Sequence, residues 1–246
     1  MGDIHGTYKA LIQCLQRSGF NYKEDCLVQL GDIADGFDQV YECVEELLKI
    51  KHLVAIRGNH DEWFNEFIQT GIHPQKWAQG AVATARSYLT PIGKRALIIP
   101  KESGFKTALN PDDVPETHRI FFREQRLYYV DEYNNCFVHA GFNRNEVFEG
   151  QEERIYYWDR KLWQEALSFE ATKVSGDKAG VFNMVTPFNQ VFIGHTNTMN
   201  WKTDQPMHAA NIRNIDTDAG HKGRLTIMNV RTMQYWQSDP VLELYK

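Results

Sequence analysis

The stretch "GDIHG" at residues 2–6 sets a carboxylate, Asp3, and an imidazole, His5, two residues apart between glycines. Taken singly, neither residue decides anything. An Asp after a strand commonly forms a turn or caps a helix, and a buried His more often completes a hydrogen-bond network than holds a ligand. Glycines on both sides change the balance, because they let backbone and side chains crowd around a small ion. Four further loops repeat the chemistry: "GDIADG" (31–36), "RGNHDE" (57–62), "VHAG" (138–141) and "GHTNT" (194–198). Each follows an apolar run that reads as a buried strand: "CLVQL" (26–30), "LVAI" (53–56), and the strands that "YNNCFVHAG" (133–141) and "NQVFIGHT" (189–196) place directly before a histidine.

Helical patterns separate these strands. In "TYKALIQCLQRSGF" (7–20), Ala10, Leu11, Cys14 and Leu15 form an apolar stripe and Gly19 is a natural stop. "DQVYECVEELLKI" (38–50) is amphipathic in the same way, and residues 154–169 read as one helix. Strand, loop and helix in alternation predict a layered α/β core, and the alternating segments after residue 207 predict antiparallel strands, giving an α+β whole. No repeat, linker or low-complexity tract divides the chain, so residues 1–246 read as one domain. Within it, residues 62–125 read as helical and irregular lid material.

Composition narrows the classes. With 27 basic and 32 acidic residues the net charge is −5, which gives no global basic field for nucleic acid. No apolar run approaches the ~18 residues of a membrane span. The four cysteines, Cys14, Cys26, Cys43 and Cys136, form no C-x-x-C pair and read as reduced thiols of a cytoplasmic protein.

Together the loops offer Asp3, His5, Asp32, Asp35, Asn59, His60, His139 and His195 at strand ends, where ligand sites of layered folds form. Mixed carboxylate, imidazole and amide-oxygen donors suit Mn, Fe or Zn and match Ca poorly. No thiolate takes part, which argues against a structural zinc clamp. Six such donors, one carboxylate bridging, would hold two ions ~3.5–4 Å apart, the spacing used for in-line displacement at phosphorus.

In these motifs, in "FVHAGF" and "FIGHTNT", and in the closing "NIDTDAG…GRLTIMNV", the sequence resembles the calcineurin-like metallophosphoesterases over nearly its whole length. Within them it is most similar to the bacterial and phage relatives of the PPP serine/threonine phosphatases. The resemblance implies a four-layer αββα sandwich, two central mixed sheets flanked by helices. It implies two divalent metal ions, Mn first, with Fe or Zn as alternatives. Asp3 and His5 would bind one ion, Asp32 would bridge, and Asn59, His139 and His195 would complete the second site. His60 would be the general acid and Asp35 the carboxylate that orients it. "WDR" (158–160) makes Arg160 the candidate phosphate clamp. The implied substrate is a phosphorylated protein (Ser, Thr or Tyr) or a small aryl phosphate. Hydrolysis of a phosphodiester or dinucleoside polyphosphate is the alternative, and a non-catalytic scaffold the third reading.

The chain departs from the family pattern at a few places. Gly36 stands where an arginine is usual, which leaves room for a wider site, for diesters, or for another cation such as Lys101 or Lys106. "GNHD" replaces the usual GNHE, and Asp218 stands where glycine is usual, with His221 nearby. Arg57 reads equally as a substrate contact or a structural ion pair. Phe37, Trp63 and Phe64 read mainly as core, with a secondary reading as aromatic faces of a cleft. The family's first motif follows an apolar strand, which here would be absent or a stub. The natural chain is accordingly expected to begin some residues before Met1.

Overall fold

The computed structural model describes residues 1–95, 98–101, 104–174 and 180–246. Helix α1 (Tyr8–Ser18) buries the predicted stripe of Ala10, Leu11, Cys14 and Leu15. It stops at Gly19, whose φ of 68° lets its amide turn back on the carbonyls of Gln16 and Leu15. Strand β1 (Cys26–Gln29), helix α2 (Val40–Leu47) and strand β2 (His52–Ala55) form a crossover unit. The two strands pair in parallel from Cys26↔His52 to Gln29↔Ala55. Then come α3 (Asn59–Thr70), α4 (Ala81–Leu89), a hairpin of β3 (Ile98–Lys101) and β4 (Gly104–Thr107), and α5 (Glu116–Arg123).

The second half supplies β5 (Tyr128–Val130), β6 (Asn135–Val138), α6 (Glu153–Trp158), α7 (Lys161–Val174) and β7 (Gln190–Ile193). It continues through β8 (Met207–Ala209), β9 (Ile212–Asn214), β10 (Thr226–Met228), β11 (Tyr235–Gln237) and α8 (Val241–Leu244). One mixed sheet has the order β5-β6-β7-β9-β8, with parallel β6, β7 and β9 inside and antiparallel strands at both edges. The other central layer consists of the β1-β2 and β10-β11 pairs. Residues 1–4 lie between those pairs. The Met1 nitrogen donates to Val28 O at 2.7 Å, Leu30 N–H to Met1 O, and Gly2 N–H to Thr226 O, each of the last two at 3.0 Å. Met1, Asp3 and Ile4 are buried, and a cavity of about 540 Å³ opens beside Met1, lined by Leu27, Val28, Ile227, Met228 and Trp236.

Three apolar clusters account for the layering. Leu30, Ile56, Phe137, Phe192 and Ile215 fill the space between the two central layers. A larger cluster packs α1 to α5 on the outer side of the first layer, and another packs α6 and α7 on the outer side of the second. Helix, sheet, sheet, helix is the αββα sandwich. Trp77, Ala81, Ala85, Tyr88 and Leu89, from the stretch read as lid material, are fully buried in the larger cluster. The single helix expected over 154–169 is two, because Asp159 turns extended after Trp158 and its Oδ2 accepts the Leu162 amide at 2.8 Å. The break places Arg160 outside both helices. All four cysteines are unpaired, three buried and Cys26 exposed. Among the described residues no helix is long and apolar enough to cross a membrane.

Candidate metal centre

The five loops turn away from the sheet layers, and three of them, 2–6, 31–36 and 194–198, turn through strained residues. His5 (φ 49°), Asp32 (φ 53°), Asp35 (φ 70°) and His195 (φ 63°) all occupy the left-handed region that side-chain-bearing residues avoid. Such geometry persists only where packing over-determines it. Here Asp61, buried at the start of α3, accepts the amides of Ile33 (2.8 Å) and Ala34 (2.9 Å) on Oδ1 and the Gln125 side chain (2.8 Å) on Oδ2. The loop 32–35 is thereby tied to α3, which is the structural work done by the Asp of "GNHD". Two glycines allow the closest approaches. A Cβ on Gly58 would stand 2.1 Å from Asp32 Oδ1, and one on Gly194 would stand 2.0 Å from Asp3 Oδ1.

The six predicted donors converge. Asp3, His5 and Asp32 form one group of ligand atoms lying within 4.8 Å of one another, and Asp32, His139 and His195 form another. Asp32 belongs to both: its Oδ2 lies 3.6 Å from His5 Nε2 and 3.4 Å from His139 Nε2. Asn59 Oδ1 is 3.2 Å from His139 Nε2, inside the second group. The imidazoles are oriented from behind. His5 Nδ1 meets the Ala34 carbonyl at 2.9 Å and His139 Nδ1 the Leu30 carbonyl at 2.7 Å, which turns both Nε2 atoms inward. Asp32 Oδ1 is likewise engaged from outside by the His60 amide at 3.0 Å.

The donor set fits divalent cations on two grounds. Asp3 Oδ1 and His195 Nε2 are buried polar atoms without a hydrogen-bond partner, the condition of ligand atoms reserved for an ion. The charges are also unbalanced. Burial, with Asp216 and Asp32 close by, holds Asp3 well above the usual carboxylate range, and Asp216 is pushed up to about 7. Burial opposes the Asp32 charge as well, but His139, His60 and His5 hold that carboxyl well below its ordinary range. Burial and the neighbouring His139 and Arg160 push His195 well down, so its imidazole is neutral, as a ligand must be.

Beside this cluster stands a second constellation. His60 Nδ1 is 2.6 Å from Asp35 Oδ2. Asp35 is itself buried, and its Oδ1 accepts from Trp77 Nε1 at 2.9 Å and from the Thr84 hydroxyl at 2.6 Å. The same hydroxyl oxygen accepts the Asp35 amide at 2.9 Å. Burial pushes the His60 imidazole down, but the Asp32 charge and the hydrogen bond and charge of Asp35 outweigh it and raise the group to about 9. Trp77 and Thr84 hold the Asp35 carboxylate, contacts that the motifs did not reveal, since they lie 42 and 49 residues from Asp35.

The remaining candidates divide. Arg160 is exposed and its guanidinium donates to Thr196 Oγ1 at 2.9 Å, next to His195. Arg57 is taken up by Glu62 at 3.1 Å and by the carbonyls of Arg123 and Gln125, the structural reading of that residue. Gly36 has φ 73°, and a Cβ there would meet His5 Cβ at 2.7 Å, so the loop admits no side chain where the family's arginine is usual. Lys106 sits on β4 of the separate hairpin, and the side chain of Lys101 lies outside the described residues. Asp218 adopts φ 68°, a conformation suited to the expected glycine, and pairs with His221 at 3.1 Å. Of the aromatic residues, Phe64 is core and Phe37 packs on Tyr245, while Trp63 reaches the site, its ring centroid 4.8 Å from that of His60.

Comparison with known proteins places this geometry. The calcineurin-like phosphoesterase family model matches residues 1–196. Serine/threonine-protein phosphatase 1 of Salmonella typhimurium (strain LT2) is 22% identical over 236 residues, covering 94% of this chain and 90% of that protein. Serine/threonine-protein phosphatase 2 of Escherichia coli (strain K12) is 24% identical over 206 residues, covering 78% and 84%. Among solved structures, one with a provisional diadenosine tetraphosphatase assignment superposes with a TM-score of 0.62 at 15% identity, covering 97% of this chain and 90% of that one. A cold-active protein-tyrosine phosphatase of a psychrophilic Shewanella species gives 0.53 at 12% identity, covering 97% and 79%.

Proposed function

The chain belongs to the calcineurin-like phosphoesterase family and is a phosphoric ester hydrolase, and from that premise we propose that it hydrolyses phosphate monoesters at a two-metal centre. Phosphoproteins and small aryl phosphates are the proposed substrates. The observation that carries this reading is the position of Asp32 Oδ2, between His5 Nε2 and His139 Nε2, with the His60–Asp35 pair alongside. In this reading Asp3, His5 and Asp32 hold one divalent ion, and Asp32, Asn59, His139 and His195 the other, with Mn favoured and Fe or Zn also suited. Two such ions, when bound, would supply Lewis acidity towards the phosphoryl group and would lower the pKa of a water towards neutrality.

The chain's own residues do the rest. His60, whose protonated form the Asp35 carboxylate favours, donates a proton to the departing oxygen, a step worth roughly 10²–10⁴ in rate. Asp35 holds that imidazole by its Nδ1, which leaves Nε2 to face the leaving group. Trp77 and Thr84 fix Asp35 in turn. Arg160, anchored on Thr196, offers a guanidinium to phosphoryl oxygens on the His195 side.

The test is a side-by-side assay with added Mn on p-nitrophenyl phosphate, its bis ester and a diadenosine tetraphosphate. Turnover of the monoester well above the other two is expected. Robust diester or tetraphosphate turnover without monoester turnover would overturn the monoester reading.

A further inference from the structure

Next to the site runs a continuous aromatic edge. His60 and Trp63 lie three residues apart on α3 and so share a helix face, with ring centroids 4.8 Å apart at 74°. Trp63 meets Trp158, the last residue of α6, at 5.4 Å and 59°. Trp158 meets His195 at 5.7 Å and 87°. The two indoles therefore bridge from the proposed proton donor to a proposed metal ligand. Both are only half-buried. Trp63 borders the larger core cluster, whereas Trp158 is packed against none of the three clusters. A tryptophan placed there gains little from the fold's own core and keeps apolar surface beside the reacting centre.

We infer that Trp63 and Trp158 form a specificity wall that stacks the aromatic ring of an aryl phosphate, so that the preferred leaving group is a phenol. The inference rests on the reading of the site as a phosphate monoesterase. Position selects the phenol over other aromatic groups. Trp63 touches the imidazole that faces the departing oxygen, so a ring bonded directly to that oxygen falls against the wall. A nucleobase is held away from its phosphate by a sugar. Arg160, two residues beyond Trp158, binds the phosphoryl end of the same ester. An aliphatic leaving group, such as a serine side chain, leaves the indoles uncovered and gains nothing from them.

The test is calorimetric binding of phenylphosphonate and methylphosphonate, which are not turned over, to the metal-loaded enzyme. The wild type should bind phenylphosphonate about three- to tenfold tighter, the ratio expected of one aromatic stacking contact. Trp63→Leu and Trp158→Leu should each reduce that ratio towards one while keeping the methylphosphonate Kd, and Trp63→Phe should retain most of it. In turnover, the Leu variants should raise KM for p-nitrophenyl phosphate more than for glycerol 2-phosphate. No preference in the wild type, or a preference unchanged in both Leu variants, would overturn the wall. Equal weakening of both ligands would also overturn it, making the indoles supports of His60 and His195. Binding of neither phosphonate by the wild type would instead sink the phosphatase reading, and the wall with it.

Discussion

The two halves of the candidate metal centre are carried by different kinds of backbone. His139 and His195 leave the ends of β6 and β7, adjacent parallel strands inside a five-stranded sheet, where neighbouring ladders fix both backbones. Asp3 and His5 lie on a segment, residues 1–5, that runs between the two strand pairs of the other layer. Hydrogen bonds from Met1 to Val28, Leu30 to Met1 and Gly2 to Thr226 hold it there, the Ile4 and His5 amides reach the Asp32 carbonyl, and the His195 amide donates to Asp3 Oδ2 at 2.9 Å. Asp32 is the one carboxylate that both halves share. The comparison teaches that Asp32 ties together two donor groups carried by different backbones, so losing it should cost more than losing a ligand of either group alone.

The largest effect belongs to the shared residue. Asp32→Asn removes the bridging charge from both groups and should lower kcat/KM by at least ~10³, since several kcal/mol of transition-state stabilisation pass through the ions. Retained activity in a p-nitrophenyl phosphate assay would break the coupling between the halves.

His60→Asn should come next, lowering kcat by roughly 10²–10⁴ while bound metal stays at the wild-type level. Full turnover with normal metal content would remove His60 from the mechanism.

Asp35→Asn takes away one of the charges that raise His60. The imidazole then loses its proton at lower pH, so the alkaline limb of the pH–kcat/KM profile should move down. The same linkage has a stability side. A folded value of about 9 against an unfolded value near 6.5 means that the His60 contribution is complete below about pH 6.5 and lost as pH rises through about 9. Denaturant unfolding of the metal-free protein should therefore show a decline over that interval that is smaller in Asp35→Asn. An identical decline in both proteins would place the stabilising charge elsewhere.

Smaller still, Thr84→Val deletes a hydroxyl that serves both the Asp35 amide and its carboxylate, and should cost about 1–3 kcal/mol of stability with a modest fall in kcat. A neutral result in denaturant titration would mean that Trp77 alone secures Asp35.

The motif loops were legible in the sequence because their chemistry is local. Asp32, Asn59, His139 and His195 sit where an apolar run stops, Asp3 and His5 stand between glycines, and the structure brings all six together. The layered core followed from the same runs, though the αββα order came only through the family resemblance. What escaped was non-local. Nothing near Trp77 or Thr84 announces a partner more than 40 residues away. The break between α6 and α7 escaped because periodicity runs straight through it, while the decisive contact is the Asp159 carboxylate on the Leu162 amide. Phe37 and Phe64 look like Trp63 in sequence, and only packing separates them.

The coupling of the two halves is tested most directly by counting metal. Elemental analysis of purified, Mn-loaded protein should give two equivalents per chain for the wild type, about one for Asp3→Asn or His195→Asn, and close to none for Asp32→Asn. A full equivalent retained by Asp32→Asn would contradict the shared carboxylate on which this account of the site rests.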